Sequence, residues 1–165
     1  MTMRSALEPL RLRRVFGSFP TGVTVLAALV DGVPTGLAAN SFVSVSLDPP
    51  MVSVCVAHTS TTWPVLREAA RIGVSVLGAH QENAGRQLSA RDTDRFAALD
   101  WQASADGAIL LDGSSAWLDC SIEQQIPAGD HDIVLLRVHD LDADPDVAPL
   151  VFHGSRYRRL LDSPP

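Results

Sequence analysis

Four short stretches set small polar residues inside segments that otherwise read as apolar, and each could hold or align a ligand. In Gly36-Leu37-Ala38-Ala39-Asn40-Ser41-Phe42, small side chains at a strand end let a flat heteroaromatic group approach the backbone. Asn40 and Ser41 add donors and acceptors there. Ser44-Val45-Ser46 places two hydroxyls on one face of a strand, ahead of Leu47-Asp48-Pro49-Pro50. Thr59-Ser60-Thr61-Thr62 stands before Trp63, where hydroxyls and free N–H groups at a helix start suit a phosphate. Ala128-Gly129-Asp130-His131-Asp132 delivers His131 at the start of a strand, placed to contact a nucleotide or tune a proton transfer. Each stretch also has a plainer reading: a polar turn, an exposed strand face, an ordinary N-cap and a surface histidine.

Other chemistries find no support. His58, His80, His139 and His153 lack metal-ligand spacing, so no metal is expected. GxGxxG, GxxxxGK[ST] and GxSxG patterns are missing, which removes the Rossmann, P-loop and nucleophile-elbow readings. Cys55 and Cys120 stand far apart without CxxC spacing and read as reduced thiols packed in strands. The formal net charge of −6 and the lack of a basic stripe argue against nucleic acid as partner. Gly22 to Val30, the longest apolar stretch, is too short to cross a bilayer, and Met1 to Leu12 has no secretory h-region. A cytoplasmic protein is expected, with no membrane partner.

The 165 residues, 46% of them hydrophobic, fit one domain with one core. Ser5-Ala6-Leu7-Glu8 has the form of a capping box, and Leu12, Val15, Phe16 and Phe19 recur at helical spacing, so a helix is expected from Ala6 to Gly17. Strands are expected over Val23–Val30 and Val33–Ala38, joined at Asp31-Gly32. Further strands follow over Phe42–Ser46, Met51–Ala57, Ile72–Leu77, Trp117–Ile126, Asp132–Leu141 and Leu150–Phe152. Helices are expected over Trp63–Ala70, His80–Arg91 and Thr93–Leu99, and a frayed tail from Leu161 to Pro165. Eight strands without regular intervening helices point to a mainly β protein: an antiparallel barrel with appended helices.

The stretches also occur in a telling order. Phe19-Pro20-Thr21-Gly22-Val23-Thr24-Val25, Ala39-Asn40-Ser41-Phe42-x-Ser44-Val45-Ser46-Leu47-Asp48-Pro49-Pro50, Gly129-Asp130-His131 and Pro149-Leu150-Val151-Phe152-x-Gly154-x-x-Tyr157-x-x-Leu160 resemble the short-chain flavin reductases. These are the reductase components of two-component flavin-dependent monooxygenases. The resemblance runs from Leu12 to Leu160. It implies a Greek-key split β-barrel of the FMN-binding type, a single domain over 1–165, and a homodimer with flavin near its interface. It implies hydride transfer from NADH or NADPH to FMN or FAD, with reduced flavin supplied to a partner monooxygenase.

By the same resemblance Ala38, Ala39, Asn40, Ser41, Phe42, Ser44 and Val45 would hold the isoalloxazine and ribityl groups. Thr59, Ser60, Thr61 and Thr62 would take the phosphate end, with Arg91 adding a contact. His131 would line the nicotinamide groove and is the one candidate catalytic residue. The family pattern Thr-Ala-Asn-Ser is here Ala38-Ala39-Asn40-Ser41, one hydroxyl short. With no lysine in the phosphate stretch, neutral donors and the helix N-terminus would carry the phosphate. A split-barrel flavoprotein with permanently bound FMN and a flavin-binding module without turnover remain as alternatives.

Overall fold

The structure is a computed structural model and describes residues 7–162. Its frame is a seven-stranded antiparallel sheet. The strands are β2 (Thr24–Val30), β3 (Val33–Ala39), β4 (Val43–Leu47), β5 (Pro50–Ala57), β6 (Ile72–Val76), β9 (Ala116–Ala128) and β10 (His131–Ala143), in the order β3-β2-β6-β9-β10-β5-β4. The β9–β10 hairpin lies between β5 and β6, which are consecutive in the chain, so the connection is a Greek-key crossing. The sheet curls round its core but its ends β3 and β4 share no ladder. It is a split barrel.

Asp31-Gly32 makes the β2–β3 turn as expected. Both residues have positive φ, at 51° and 76°, the geometry a two-residue hairpin needs. β2 is buried from Thr24 to Ala28 because it is covered on both faces. One face packs on the cluster of Leu26, Val54, Ile72, Val74, Val134 and Leu136. The other, through Val25 and Ala27, packs on Leu77, Leu88, Ile109 and Leu150.

Several expectations need correction. The first helix, α1, runs only from Pro9 to Phe16, with Glu8 at its N-cap and no side-chain cap bond; the Ser5-Ala6 part of the expected capping box lies outside the described residues. The Trp63–Ala70 helix shrinks to α2 (Trp63–Leu66), one turn that buries Trp63 and Leu66. His80–Arg91 divides into a 3-10 turn (Ala79–Gln81) and α3 (Glu82–Ser89). Thr93–Leu99 is turns and bends rather than helix. Four short strands went unread: β1 (Thr21–Gly22), β7 (Trp101–Ala103), β8 (Ile109–Leu111) and β12 (Arg156–Arg159).

With β11 (Leu150–His153), β1 and β12 form a separate three-stranded sheet, so the described residues hold twelve strands instead of eight. In β9 the neighbours Asp119 and Cys120 are both buried because the sheet is covered on both faces there. Cys120 pairs with Ile72 and packs in the barrel core, while Asp119 pairs with Gly73, whose open face lies against Ile109 of β8. The Asp119 carboxylate accepts a bond of 3.2 Å from Arg71.

Candidate functional site

The split in the barrel leaves two strand edges without ladder partners, and the site forms between them. β4 pairs β5 only over Pro50–Ser53, so Val54 to Ala57 have no strand outside them. Ser41 stands in at that edge. Its hydroxyl accepts from the Cys55 N–H at 2.9 Å and donates to the Cys55 carbonyl at 3.2 Å. By strand alternation Ala57, two residues on, directs its backbone groups to the same open edge; its carbonyl accepts from the Ser60 N–H at 3.0 Å. Across the gap, the Gly36 carbonyl on the free edge of β3 accepts from Arg95 at 3.0 Å, and Ala38 follows at the same phase.

Between these edges lies a cavity of about 820 Å³, inside the range of roughly 300–1,000 Å³ usual for cofactor sites. Its walls gather Ala38, Ala39, Asn40 and Ser41 from the end of β3, Thr59 to Thr62 from the loop before α2, Arg91 and Arg95 from the loop after α3, and His131 from β10. Residues up to 93 positions apart in the chain therefore meet round one space.

Three expected residues lie elsewhere. Phe42 packs on the barrel core, while Ser44 and Val45 sit exposed on β4 away from the cavity. The register slips between Ser44 and Ser46, so the two hydroxyls do not share a face as a regular strand would require. Ser41 stands at the wall as expected, but its hydroxyl is already engaged with Cys55. Cys55 itself is exposed on the cavity wall, whereas both thiols were expected to be packed away.

The wall expected to take a phosphate is also not neutral, for Arg91, Asp92 and Arg95 line it. Arg95, which sequence reasoning passed over, donates through NH1 to the Thr62 hydroxyl at 2.8 Å and through Nε to the Ala90 carbonyl at 2.8 Å. Arg91 lines the same wall and has no ion-pair partner among the described residues. The one-turn α2 carries too little dipole to act as a helix N-terminus. Ser60 is spent as well, since its hydroxyl accepts from the Trp63 N–H at 3.1 Å.

His131 faces the flank of the cavity opposite Ala57. Its Nδ1 lies 2.7 Å from Asp130 Oδ1, and Nε2 has no hydrogen-bond partner among the described residues. That hydrogen bond, together with the charge of the imidazole, holds the Asp130 carboxyl below its ordinary value of 3.8. The contact is therefore complete above that value and is lost as pH falls through the lowered one.

The donor set fits a flavin nucleotide: free strand-edge amides and the Asn40 amide for a heteroaromatic rim, small Ala38 and Ala39 beneath a flat ring, and two guanidinium groups with threonine hydroxyls for phosphate.

Residues 16–161 match the family described as flavin reductase like domain, and the chain belongs to that family. It is 39% identical over 152 residues to the reductase subunit HsaB of a flavin-dependent monooxygenase from Rhodococcus jostii, covering 92% of this chain and 78% of that protein. It is 40% identical to an NADH-dependent FAD reductase of Streptomyces globisporus, covering 93% of this chain and 86% of the relative. Among solved structures, the Streptomyces globisporus NADH:FAD oxidoreductase in complex with NAD and FAD fragments superposes with a TM-score of 0.87 at 39% identity, covering 95% of this chain and 97% of that one. The flavin reductase component of a bacterial two-component tryptophan halogenase does so with a TM-score of 0.87 at 35% identity, covering 94% of this chain and all of the other.

The two thiols differ in a way that reports on the cavity. Burial, and then the charge of Asp119, pushes the Cys120 thiol up to about 12, so it stays protonated and shielded. A thiol-reactive dye at pH 8 is expected to label one cysteine in the folded chain and both after unfolding. Excess flavin is expected to slow the labelling of Cys55. Labelling of Cys120 in the folded protein, or no protection by flavin, counts against this arrangement.

Proposed function

We propose that this protein is an NAD(P)H:flavin oxidoreductase that takes FMN or FAD into the cavity between β3 and β5 and supplies reduced flavin to a partner monooxygenase. The observation that carries the reading is the meeting of two open strand edges, two arginines and His131 round one cavity. When bound, the flavin supplies the acceptor, and reduced nicotinamide the donor, of the hydride. The chain's own residues bind and align. Ala38 and Ala57 would present backbone groups and Asn40 its amide, Arg91 with Thr59, Thr61 and Thr62 would hold the phosphate end, and Arg95 fixes the wall behind them. His131 presents Nε2 to the nicotinamide side. The chemistry of the step belongs to the cofactors, so the chain's own part is to bind and align them. Anaerobic mixing with NADH or NADPH and excess flavin is expected to bleach the flavin absorbance; unchanged absorbance overturns the reading.

His131→Ala is expected to raise the KM for NAD(P)H about two- to tenfold, the worth of one lost hydrogen bond, with flavin affinity nearly unchanged. A tenfold loss of flavin affinity at unchanged nicotinamide parameters would show the assignment to be wrong.

We further read the chain over 1–165 as one domain and as a homodimer in the cytoplasm. Support for the dimer comes from edge strand β4, whose Val43, Val45 and Leu47 stand exposed; a bare apolar edge of this kind is usually covered. Covering it with a second copy would bring Ser44 and Val45 into an interface beside the cavity. No helix among the described residues is long and apolar enough to cross a membrane.

A further inference from the structure

His58 grips the chain on both sides of His131. Its N–H donates to the Asp130 carbonyl at 2.9 Å, and its Nε2 lies 2.8 Å from Asp132 Oδ1. His58 also immediately precedes Thr59, the first residue of the loop that lines the other flank of the cavity. The near end of that loop is also closed on β5, where the Ser60 N–H reaches the Ala57 carbonyl. At its far end the Ser60 hydroxyl takes the Trp63 N–H, and the Trp63 ring is buried with its Nε1 donating to Gln125 at 3.1 Å. His58 thus links the start of the Thr59–Thr62 loop to the turn that carries His131.

We propose that His58, paired with Asp132, is a positioning residue that couples occupancy of the Thr59–Thr62 loop to the setting of His131, so that the two nucleotides strengthen each other's binding. This rests on the reading of the loop as the flavin side and His131 as the nicotinamide side. The His58 and Asp132 side chains are 48% and 23% exposed, so the pair adds little to global stability. What it supplies is a fixed angle between two walls. Coupling of this kind is reciprocal: whatever factor one ligand lends the other is returned equally.

The test is binding alone, with no turnover. Flavin Kd is measured by fluorescence quenching with and without saturating NAD⁺ or NADP⁺, neither of which reacts with oxidised flavin. In the unaltered protein one of the two is expected to tighten flavin binding by about two- to tenfold, the share one hydrogen bond can carry. His58→Ala and Asp132→Ala are each expected to bring that ratio to about one, and the double variant to do no more than either single one. Asp132→Asn, which keeps an acceptor oxygen, is expected to retain the ratio. Melting temperatures are expected to stay close to that of the unaltered protein. A ratio of one in the unaltered protein, a ratio untouched by both alanine variants, or loss that tracks falling melting temperature overturns the proposal while leaving the flavin site standing. An unaltered protein that binds no flavin overturns the underlying reading and the proposal together.

Discussion

Arg95→Ala is expected to weaken flavin binding by more than tenfold and to destabilise the fold. One guanidinium joins three segments of the cavity wall: the Gly36 carbonyl on β3, the Thr62 hydroxyl before α2 and the Ala90 carbonyl after α3. Removing it leaves the Gly36 carbonyl at an unpaired strand edge without its donor and frees the Thr59–Thr62 loop from β3. Hydrogen bonds to charged groups contribute about 1.5–3 kcal/mol each, but three on one side chain are not additive. A total loss of about 2–3 kcal/mol follows, or roughly 5–10 °C in Tm for a chain of this size. Arg95→Lys separates charge from geometry. A lysine keeps the cation but cannot span three acceptors in a planar fork, so flavin affinity is expected to recover only in part. Full recovery with lysine would mean that charge alone matters there, and an unchanged flavin Kd in the alanine variant would remove Arg95 from the site.

The second large effect is on folding. A Cβ built on Gly73 would sit 1.9 Å from the Ile109 carbonyl oxygen and 2.6 Å from its carbon. Gly73 lies in β6, paired to β2 and β9, with β8 packed across it. Both atoms are backbone, so no rotamer change relieves the clash. β8 has to lift, taking the buried Ile109 and Leu111 out of their cluster. Gly73→Ala is expected to cost at least about 3 kcal/mol, above the usual run of overpacking substitutions, and to leave much of the chain insoluble. Gly22→Ala is the control, because nothing lies within 4 Å of its added Cβ. It is expected to be neutral or slightly stabilising. A soluble Gly73→Ala protein with unchanged denaturant midpoint would show that β8 does not sit on β6 as described.

Much of the barrel was legible in the sequence because its strands are long and their turns carry strong local signals. Asp31-Gly32 fixed the first hairpin, and the β-branched runs gave β2, β5, β6 and β10 within a few residues. β7, β8 and β12 offer only three or four residues each, too few to establish a period. In β12 the run Arg156-Tyr157-Arg158-Arg159 hides its single inward residue, Tyr157, among exposed arginines. A full helix was expected over Trp63–Ala70, yet only one turn forms before the chain enters β6.

The candidate site was legible where its lining comes from local stretches: Ala38 to Ser41, Thr59 to Thr62, Arg91 and His131 all reach one cavity. It was illegible where the lining is held by distant partners. Arg95 acts on residues 59 and 33 positions away, and Ser41 spends its hydroxyl on a residue 14 positions on. No local pattern announces either. His131 is far in sequence from the Ala38–Ser41 and Thr59–Thr62 stretches, yet β10 pairs β5 and sets it directly opposite Ala57.

The central claim is that flavin is a diffusing substrate reduced at this cavity at the expense of NADH or NADPH. The direct measurement is the initial rate of nicotinamide oxidation by purified protein, followed by loss of absorbance while free FMN or FAD is varied. The rate is expected to be near zero without added flavin, to rise with flavin and to saturate, for at least one flavin and one nicotinamide. A rate independent of added flavin would instead mark a permanently bound cofactor, and no oxidation with any of the four combinations would leave only a flavin-binding module and contradict the claim.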